Sequence, residues 1–350
     1  MKRVLVVNPF GIGDVIFSMA LVEAVRKNFP SAFIGFLCNE RTEGLVRLNP
    51  SIDRVFVFNR DRFRNLLRSN LFRFWGELGN LWREVGRERF EALFDLSLGR
   101  QYSFAAMLLG IGKRIGFDFK GRGVFLTHKK RIEGYAGRHV TDIQLELLKM
   151  GGGGEGVSLR IPFVIPLSAR KFAEELLRER GFRRALAVAP GGGRSWGEKA
   201  VYKQWNPERF AEAANKTAKN GDCGVLLLGE KAEKDLLERT AGFLERPCAV
   251  VCGEPIERVC AFLLRSELLL CNDGGLLHLA NVLGVKTVSI FGPVDEKVYG
   301  PYDRSVLAKV VTEPVPCRPC YRNFRFPPCS NERRCLELLT VERVVEAVGL

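Results

Sequence analysis

The sequence predicts an α/β fold: two Rossmann-like domains, with parallel sheets facing a central cleft. Three observations predict it. The chain has 350 residues, enough for two domains that each bury a core. Short apolar runs alternate with segments of helical periodicity, as in strand–helix–strand units of a parallel sheet. The alternation restarts after a proline-bearing stretch at 160–166 that reads as a linker.

The elements follow in order. Val4-Leu5-Val6-Val7 is an apolar run bounded by a turn, suited to a central parallel strand. Gly11-Ile12-Gly13-Asp14 comes next. Val15 to Asn28 has helical periodicity and stops before Pro30. Ala32 to Cys38, Arg54 to Phe58 and Ala92 to Leu96 read as further strands. In the second half Ser168 to Arg180 reads as a helix. Ala185 to Ala189 is a strand ending in Pro190-Gly191-Gly192-Gly193, Gly224 to Leu228 ends at Gly229, and Ala249 to Val251 is a short strand. Leu268 to Cys271 runs into Asn272-Asp273-Gly274-Gly275, and Thr287 to Phe291 into Gly292-Pro293. Glycine-rich or acidic turns at the carboxyl ends of strands are where open α/β sheets bind ligands.

Composition narrows the classes. Hydrophobic residues are 46% and charged residues 27%, which excludes disorder as the main state. No apolar run approaches the ~18 residues of a membrane-spanning helix. Met1-Lys2-Arg3 before Val4 to Val7 mimics a signal peptide, but the run is too short and Asn8-Pro9 ends it. The expectation is a cytoplasmic protein whose ten Cys are mostly reduced. The net charge is +14, with +10 in residues 1–162 and +4 in 163–350. Either the first half has an acidic partner (nucleic acid, anionic lipid or a phosphorylated substrate) or it has a solvated basic surface.

Five motifs carry candidate chemistry. The Gly11-x-Gly13-Asp14 turn lacks the third glycine of a dinucleotide fingerprint, having Ile16 there. Its Asp14 is either a helix cap or a base on the ligand side of the sheet. Pro190-Gly191-Gly192-Gly193 with Lys203-Gln204-Trp205 suits phosphate binding. The bland alternatives are an exposed lysine and a core tryptophan, and core packing is preferred for Trp205. Asn272-Asp273-Gly274-Gly275-Leu276-Leu277-His278 exposes amides at a helix start, a place for a pyrophosphate; His278 is either structural or near that phosphate. Cys317, Cys320, Cys329 and Cys335 are either a tetrahedral zinc site or packing and redox-sensitive thiols. Cys38, Cys223, Cys248, Cys252, Cys260 and Cys271 read as core. Finally, Arg54 to Arg73 holds six Arg and one acidic residue among Phe and Leu, and Lys113 to Arg138 holds eight basic and two acidic residues. These stretches either bind phosphates and acyl chains or are solvated helix faces with their apolar sides packed.

Taken in order along the chain, the Gly-Asp turn, the Pro-Gly-rich turn with Lys203-x-Trp205, the Asn272-Asp273 turn with His278, and Phe291-Gly292-Pro293 resemble glycosyltransferase family 9. These are the heptosyltransferases of lipopolysaccharide core synthesis. Asp95-Leu96, Arg114-Ile115-Gly116 and the Cys-rich tail are similar to the family as well. The resemblance implies a GT-B fold. Residues 1–162 would bind the acceptor and 163–335 the donor, and a helix in 336–350 would pack back on the first domain. It implies inverting transfer of heptose from ADP-heptose to a phosphorylated lipid A–Kdo acceptor, by an enzyme peripheral on the inner face of the cytoplasmic membrane. Contact with that anionic surface is expected, and no nucleic acid partner.

By resemblance, Asp14 is the general base and Lys203 stabilises the leaving diphosphate. Gly191, Gly192, Gly193, Ser195, Asp273, Gly274, Gly275, Leu276 and His278 line the donor side. Gly13, Arg60, Arg64, Arg100 and Arg122 are acceptor-side candidates. No cofactor is expected for catalysis; structural zinc at the Cys quartet stays open. The sequence departs from the family at Asn206, an extra residue before Pro207, and at Gly274 and Leu277, which leaves the donor sugar and nucleotide open. The long Gly193-to-Lys203 loop leaves Lys199 as a reserve for Lys203. The competing readings are a related GT-B enzyme using another nucleotide sugar, and a basic zinc-dependent nucleic-acid-binding protein, which lacks a recognisable recognition module.

Overall fold

Val4–Val7 forms the heart of a six-stranded sheet in the computed structural model, buried on both faces as its unbroken apolar run requires. The structure describes residues 1–154, 161–218, 223–303 and 307–349; the side chains of Arg194 and Ser195 lie outside the described set. The chain divides into two units, Met1–Val164 and Ile165–Leu350.

The first unit runs β1 (Arg3–Val7), α1 (Ile12–Asn28), β2 (Phe33–Asn39), α2 (Glu43–Arg47), β3 (Arg54–Phe58), α3 (Arg60–Ser69) and α4 (Leu71–Arg87). It continues with β4 (Ala92–Asp95), α5 (Gln101–Leu108), β5 (Lys113–Phe119), β6 (His128–Ile132) and α6 (Val140–Met150). The strands lie in the order β3-β2-β1-β4-β5-β6 and all pair in parallel. The order reverses between β1 and β4, where Val7 is level with Asp95. That is the switch point at which the loops after two neighbouring strands part, leaving room for a ligand.

The second unit repeats the plan. It runs α7 (Leu167–Glu179), β7 (Arg184–Ala189), α8 (Pro207–Thr217), β8 (Cys223–Gly229), α9 (Lys234–Ala241), β9 (Cys248–Cys252) and α10 (Ile256–Leu264). Then come β10 (Leu268–Asn272), α11 (Gly275–Val282), β11 (Thr287–Phe291), α12 (Glu296–Tyr299), β12 (Ala308–Thr312), α13 (Arg334–Glu337) and α14 (Val341–Val348). The order is β12-β11-β10-β7-β8-β9, again parallel. Its switch point falls between β7 and β10, the strands that end in the two glycine-rich turns.

Two expectations need correction. The helix within 336–350 packs in its own unit: Val341 and Val344 of α14 are buried in the core that holds Trp205, Phe210 and Leu270, and α14 lies on α8 and β12. Its approach is fixed by Trp205 Nε1, which donates to the Leu339 carbonyl at 3.2 Å, and by Arg209, which donates to the Glu337 carbonyl at 2.7 Å. Secondly, Cys248 and Cys252 are only half-buried, because β9 is an edge strand; Cys38, Cys223, Cys260 and Cys271 are core residues as expected. No helix among the described residues is long and apolar enough to cross a membrane.

Candidate active site

In the first unit the expected residues share one sheet edge. Gly13 and Asp14 follow β1, Arg60 follows β3, Arg100 follows β4 and Arg122 follows β5. Parallel strands put all these loops at the carboxyl edge. Arg64, one turn into α3, is exposed, as are Arg60, Arg100 and Arg122.

Asp14 is not the cap of α1. The cap is Gly11, with extended backbone and no side-chain cap bond, and Asp14 sits half-buried in the first turn. A carboxylate there gains from the helix dipole. Asn8 holds the turn. It is buried at the end of β1, donates from Nδ2 to the Asp14 carbonyl at 2.9 Å, and accepts from the Phe10 N–H at 3.2 Å. Phe17, one turn beyond Asp14, packs edge-on against the His139 ring at 5.1 Å between centroids. Asp95 lies one strand over, fully buried at the end of β4. Its Oδ1 accepts from the Ser97 N–H at 3.0 Å, while Oδ2 has no hydrogen-bond partner. Burial pushes its carboxyl up to about 6, against the hydrogen bonds from Ser97 and Ser103.

In the second unit two glycine turns converge. A Cβ built on Gly274 would come within 4.0 Å of the Gly192 carbonyl. Buried Asn272 joins them: Nδ2 donates to the Pro190 and Gly191 carbonyls (2.7 and 3.3 Å), and Oδ1 accepts from the Trp205 N–H at 3.1 Å. Lys203 lies between. Its Nζ meets Asp273 Oδ2 at 2.7 Å, both side chains only 7% exposed, and stands 4.8 Å from the centre of the Trp196 ring. So Lys203 is no surface lysine. The reserve, Lys199, is exposed and its Nζ approaches the Phe326 carbonyl at 3.5 Å; Lys203 is the one at the glycine turns. Trp205 is core, 1% exposed.

The loop carrying Lys203 is short 3₁₀ turns after Gly193, whose φ of 72° favours glycine. Gly192 must also be glycine-sized, since a Cβ would lie 2.7 Å from the Ala200 carbonyl. The Cys-rich tail braces this loop. Trp196 packs at a tilt against Tyr321 and Phe326, with centroids 4.9 and 5.1 Å away. Arg333 Nη1 donates to the carbonyls of Val201 and Gln204, at 3.0 and 3.4 Å, either side of Lys203. Gly274 caps α11 without a side-chain bond. The first amides of that helix, at Gly275 and Leu276, have no intrahelical acceptor. His278, one turn in, is buried.

The four tail cysteines are free thiols. Cys335 is pushed up to about 11, by burial first and then by Cys320, Cys317 and Cys329. They are neighbours, yet among the described residues no group of three or more His, Cys, Asp or Glu is gathered to hold a metal ion. The side chain of Ser195 lies outside the described residues.

Sequence reasoning gave no role to Asn8, Asn272 or Arg333. The asparagines had a signal: a polar residue directly after a buried strand must bond something. Arg333 had none, since its targets are backbone carbonyls 130 residues away in sequence, roughly, and only the fold brings them near.

Comparison with known proteins bears on the family and the fold. The family model of glycosyltransferase family 9 (heptosyltransferase) matches residues 78–325. Lipooligosaccharide heptosyltransferase 2 of Campylobacter jejuni is 23% identical over 346 residues, covering 97% of this chain and 96% of the relative. Lipopolysaccharide heptosyltransferase 1 of Pseudomonas aeruginosa is 24% identical over 353 residues, covering 96% and 91%. The solved structure of ADP-heptose lipopolysaccharide heptosyltransferase II from E. coli superposes with a TM-score of 0.77 at 17% identity, covering 100% of this chain and 98% of that one. The matched segment includes Lys203 and Asp273 but not Asp14.

Proposed function

The chain belongs to glycosyltransferase family 9, and from that premise we propose that it moves heptose from ADP-heptose to the phosphorylated lipid A–Kdo inner core of lipopolysaccharide, with inversion. The observation that carries this reading is the buried Lys203–Asp273 pair at the meeting of two glycine turns. The named activity of the relatives supports the sugar and acceptor, and the E. coli structure's name supports the donor.

The reaction is a single displacement. Asp14, as carboxylate, takes the proton of an acceptor hydroxyl while that oxygen attacks the anomeric carbon. The bond to the diphosphate breaks on the opposite face, its electrons leave with ADP, and the anomeric configuration inverts. Asp14 then gives its proton to solvent. Lys203 has three N–H donors; one holds Asp273 and the others face the leaving diphosphate. The amides of Gly274, Gly275 and Leu276 at the start of α11 share that charge. Gly191, Gly192, Gly193 and Ser195 line the nucleotide side, Asp273 orients the sugar, and His278 supports the turn from within. Gly13, Arg60, Arg64, Arg100 and Arg122 serve the acceptor's phosphates and carboxylates. No metal is required, because fixed cations and amides carry the phosphate charge; full activity after exhaustive chelation is the expected result, and loss restored by zinc would refute it.

The enzyme works as a peripheral protein on the inner face of the cytoplasmic membrane, where such an acceptor is anchored. A panel of ADP-, UDP- and GDP-sugars with a lipid A–Kdo acceptor tests the whole reading. Turnover should be confined to ADP-heptose; preference for a UDP- or GDP-sugar would replace the donor assignment.

A further inference from the structure

Helices α3 and α4 form a pair with an unusual tip. Their base is pinned by the Arg62–Glu77 ion pair at 2.6 Å and by Phe63, which stacks on Phe58 at 4.7 Å and meets Phe74 edge-on at 5.9 Å. Asn59 and Asn70 cap the two helices. Around Asn70 the apolar residues point outward: Leu67 is 52% exposed, Leu71 55%, Phe72 93% and Trp75 65%. Exposed apolar residues are usually scattered singly; these four occupy one short stretch. Packing of the apolar side, one of the two readings of this stretch, therefore holds for Phe63 and fails at the tip.

Charge decides what covers it. Between Arg62 and Glu77 the sequence holds Arg64, Arg68 and Arg73 and no acidic residue, and all three are exposed. The cores of protein interfaces are depleted in charge. An apolar wedge on a stretch whose charged residues are all cations, with Glu77 at its base held by Arg62, instead suits an anionic bilayer, where aromatics sit at the headgroup boundary and Arg meets lipid phosphate.

We propose that the α3–α4 tip is the membrane anchor of the first unit: Phe72 and Trp75 enter an anionic lipid surface, with Arg68 and Arg73 on its phosphates. This rests on the reading of a lipid-anchored acceptor and names the surface that reaches it. The anchor raises the local concentration of acceptor without touching the reacting groups.

The test uses the full-length protein with vesicles of phosphatidylcholine, with and without phosphatidylglycerol. Wild type should sediment with the anionic vesicles only, less so as salt rises, and its Trp75 fluorescence should be quenched by lipid brominated near the headgroup; Trp75→Phe isolates that signal. Phe72→Ser with Trp75→Ser should weaken partitioning about tenfold or more. Arg68→Gln with Arg73→Gln should weaken it about 30-fold. The Phe72/Trp75 double variant should keep wild-type turnover on a deacylated, water-soluble acceptor and lose it on acceptor embedded in vesicles. Quenching in wild type needs no variant, so a poorly folded variant leaves the test intact. No vesicle binding by an enzyme that still transfers heptose overturns the anchor while sparing the function. Tip variants that abolish self-association while vesicle binding persists also overturn it, making the tip a protein interface. Tip-dependent binding by a protein that transfers no heptose supports the anchor and refutes the function.

Discussion

Replacing Lys203 by Met separates structure from chemistry at the proposed donor site. The Asp273 carboxylate would then stay buried with no cation beside it, since both side chains are 7% exposed and 2.7 Å apart. Breaking a buried pair from one side costs about 3–5 kcal/mol. For a unit of this size each kcal/mol is about 2–4 °C, so Tm should fall by roughly 6–20 °C. Adding Asp273→Leu removes the stranded charge. A packed apolar pair is often neutral or better, so the double variant should recover most of the lost Tm. Activity should not recover. One preorganised charge on a leaving group is worth about 10²–10³ in rate, and both variants should lose about that much in ADP release. Scanning calorimetry and a coupled ADP assay read the two effects. A single variant melting within about 1 °C of wild type would refute the stability argument, judged against the expected cost. A double variant that regains turnover would make Lys203 purely structural.

Other outcomes follow from the same geometry. Gly192→Ala should cut turnover at least tenfold, about 1.4 kcal/mol, because its Cβ would press on the Ala200 carbonyl 2.7 Å away and shift the loop before Lys203; steady-state kinetics at saturating acceptor checks it. Arg333→Gln should lower turnover with a smaller change in KM for ADP-heptose, since Arg333 holds the backbone on both sides of Lys203; Arg333→Lys should rescue only part, as one ammonium cannot copy the fork. Asp95 gives a pH signature. Its carboxyl is raised by burial from 3.8 to about 6, so the folded state binds the proton more tightly. Stability then falls as pH rises from about 4 to about 6 and levels off above, by up to about 3 kcal/mol. Asp95→Asn should lose that slope in Tm against pH, and an unchanged slope would contradict the assignment.

The sequence made the interior strands legible because burial on both faces forces an apolar run, as in Val4–Val7 and Leu268–Cys271. Charge hid the strands at one end of the first sheet. Lys113–Phe119 and His128–Ile132 read as basic stretch yet form β5, which pairs with both β4 and β6, and β6, the edge strand; a solvated edge tolerates such residues. Helix α14 misled for another reason. Its apolar face shows that it packs somewhere, but not on which unit; that depends on Trp205 and Arg209 reaching Leu339 and Glu337. At the site, glycine turns and Asp14 were legible from their place after strands. The partnership of Lys203 with Asp273 was not, because 69 residues and three helix–strand pairs, α8 to β10, lie between them.

The most direct test of the central claim is acceptor-dependent ADP release from ADP-heptose, measured on purified wild type and Asp14→Asn side by side. Wild type should transfer heptose, and the variant should lose about 10²–10⁴ in kcat, with folding unchanged. Wild-type turnover by Asp14→Asn, or no transfer from ADP-heptose by the wild type, would contradict that claim.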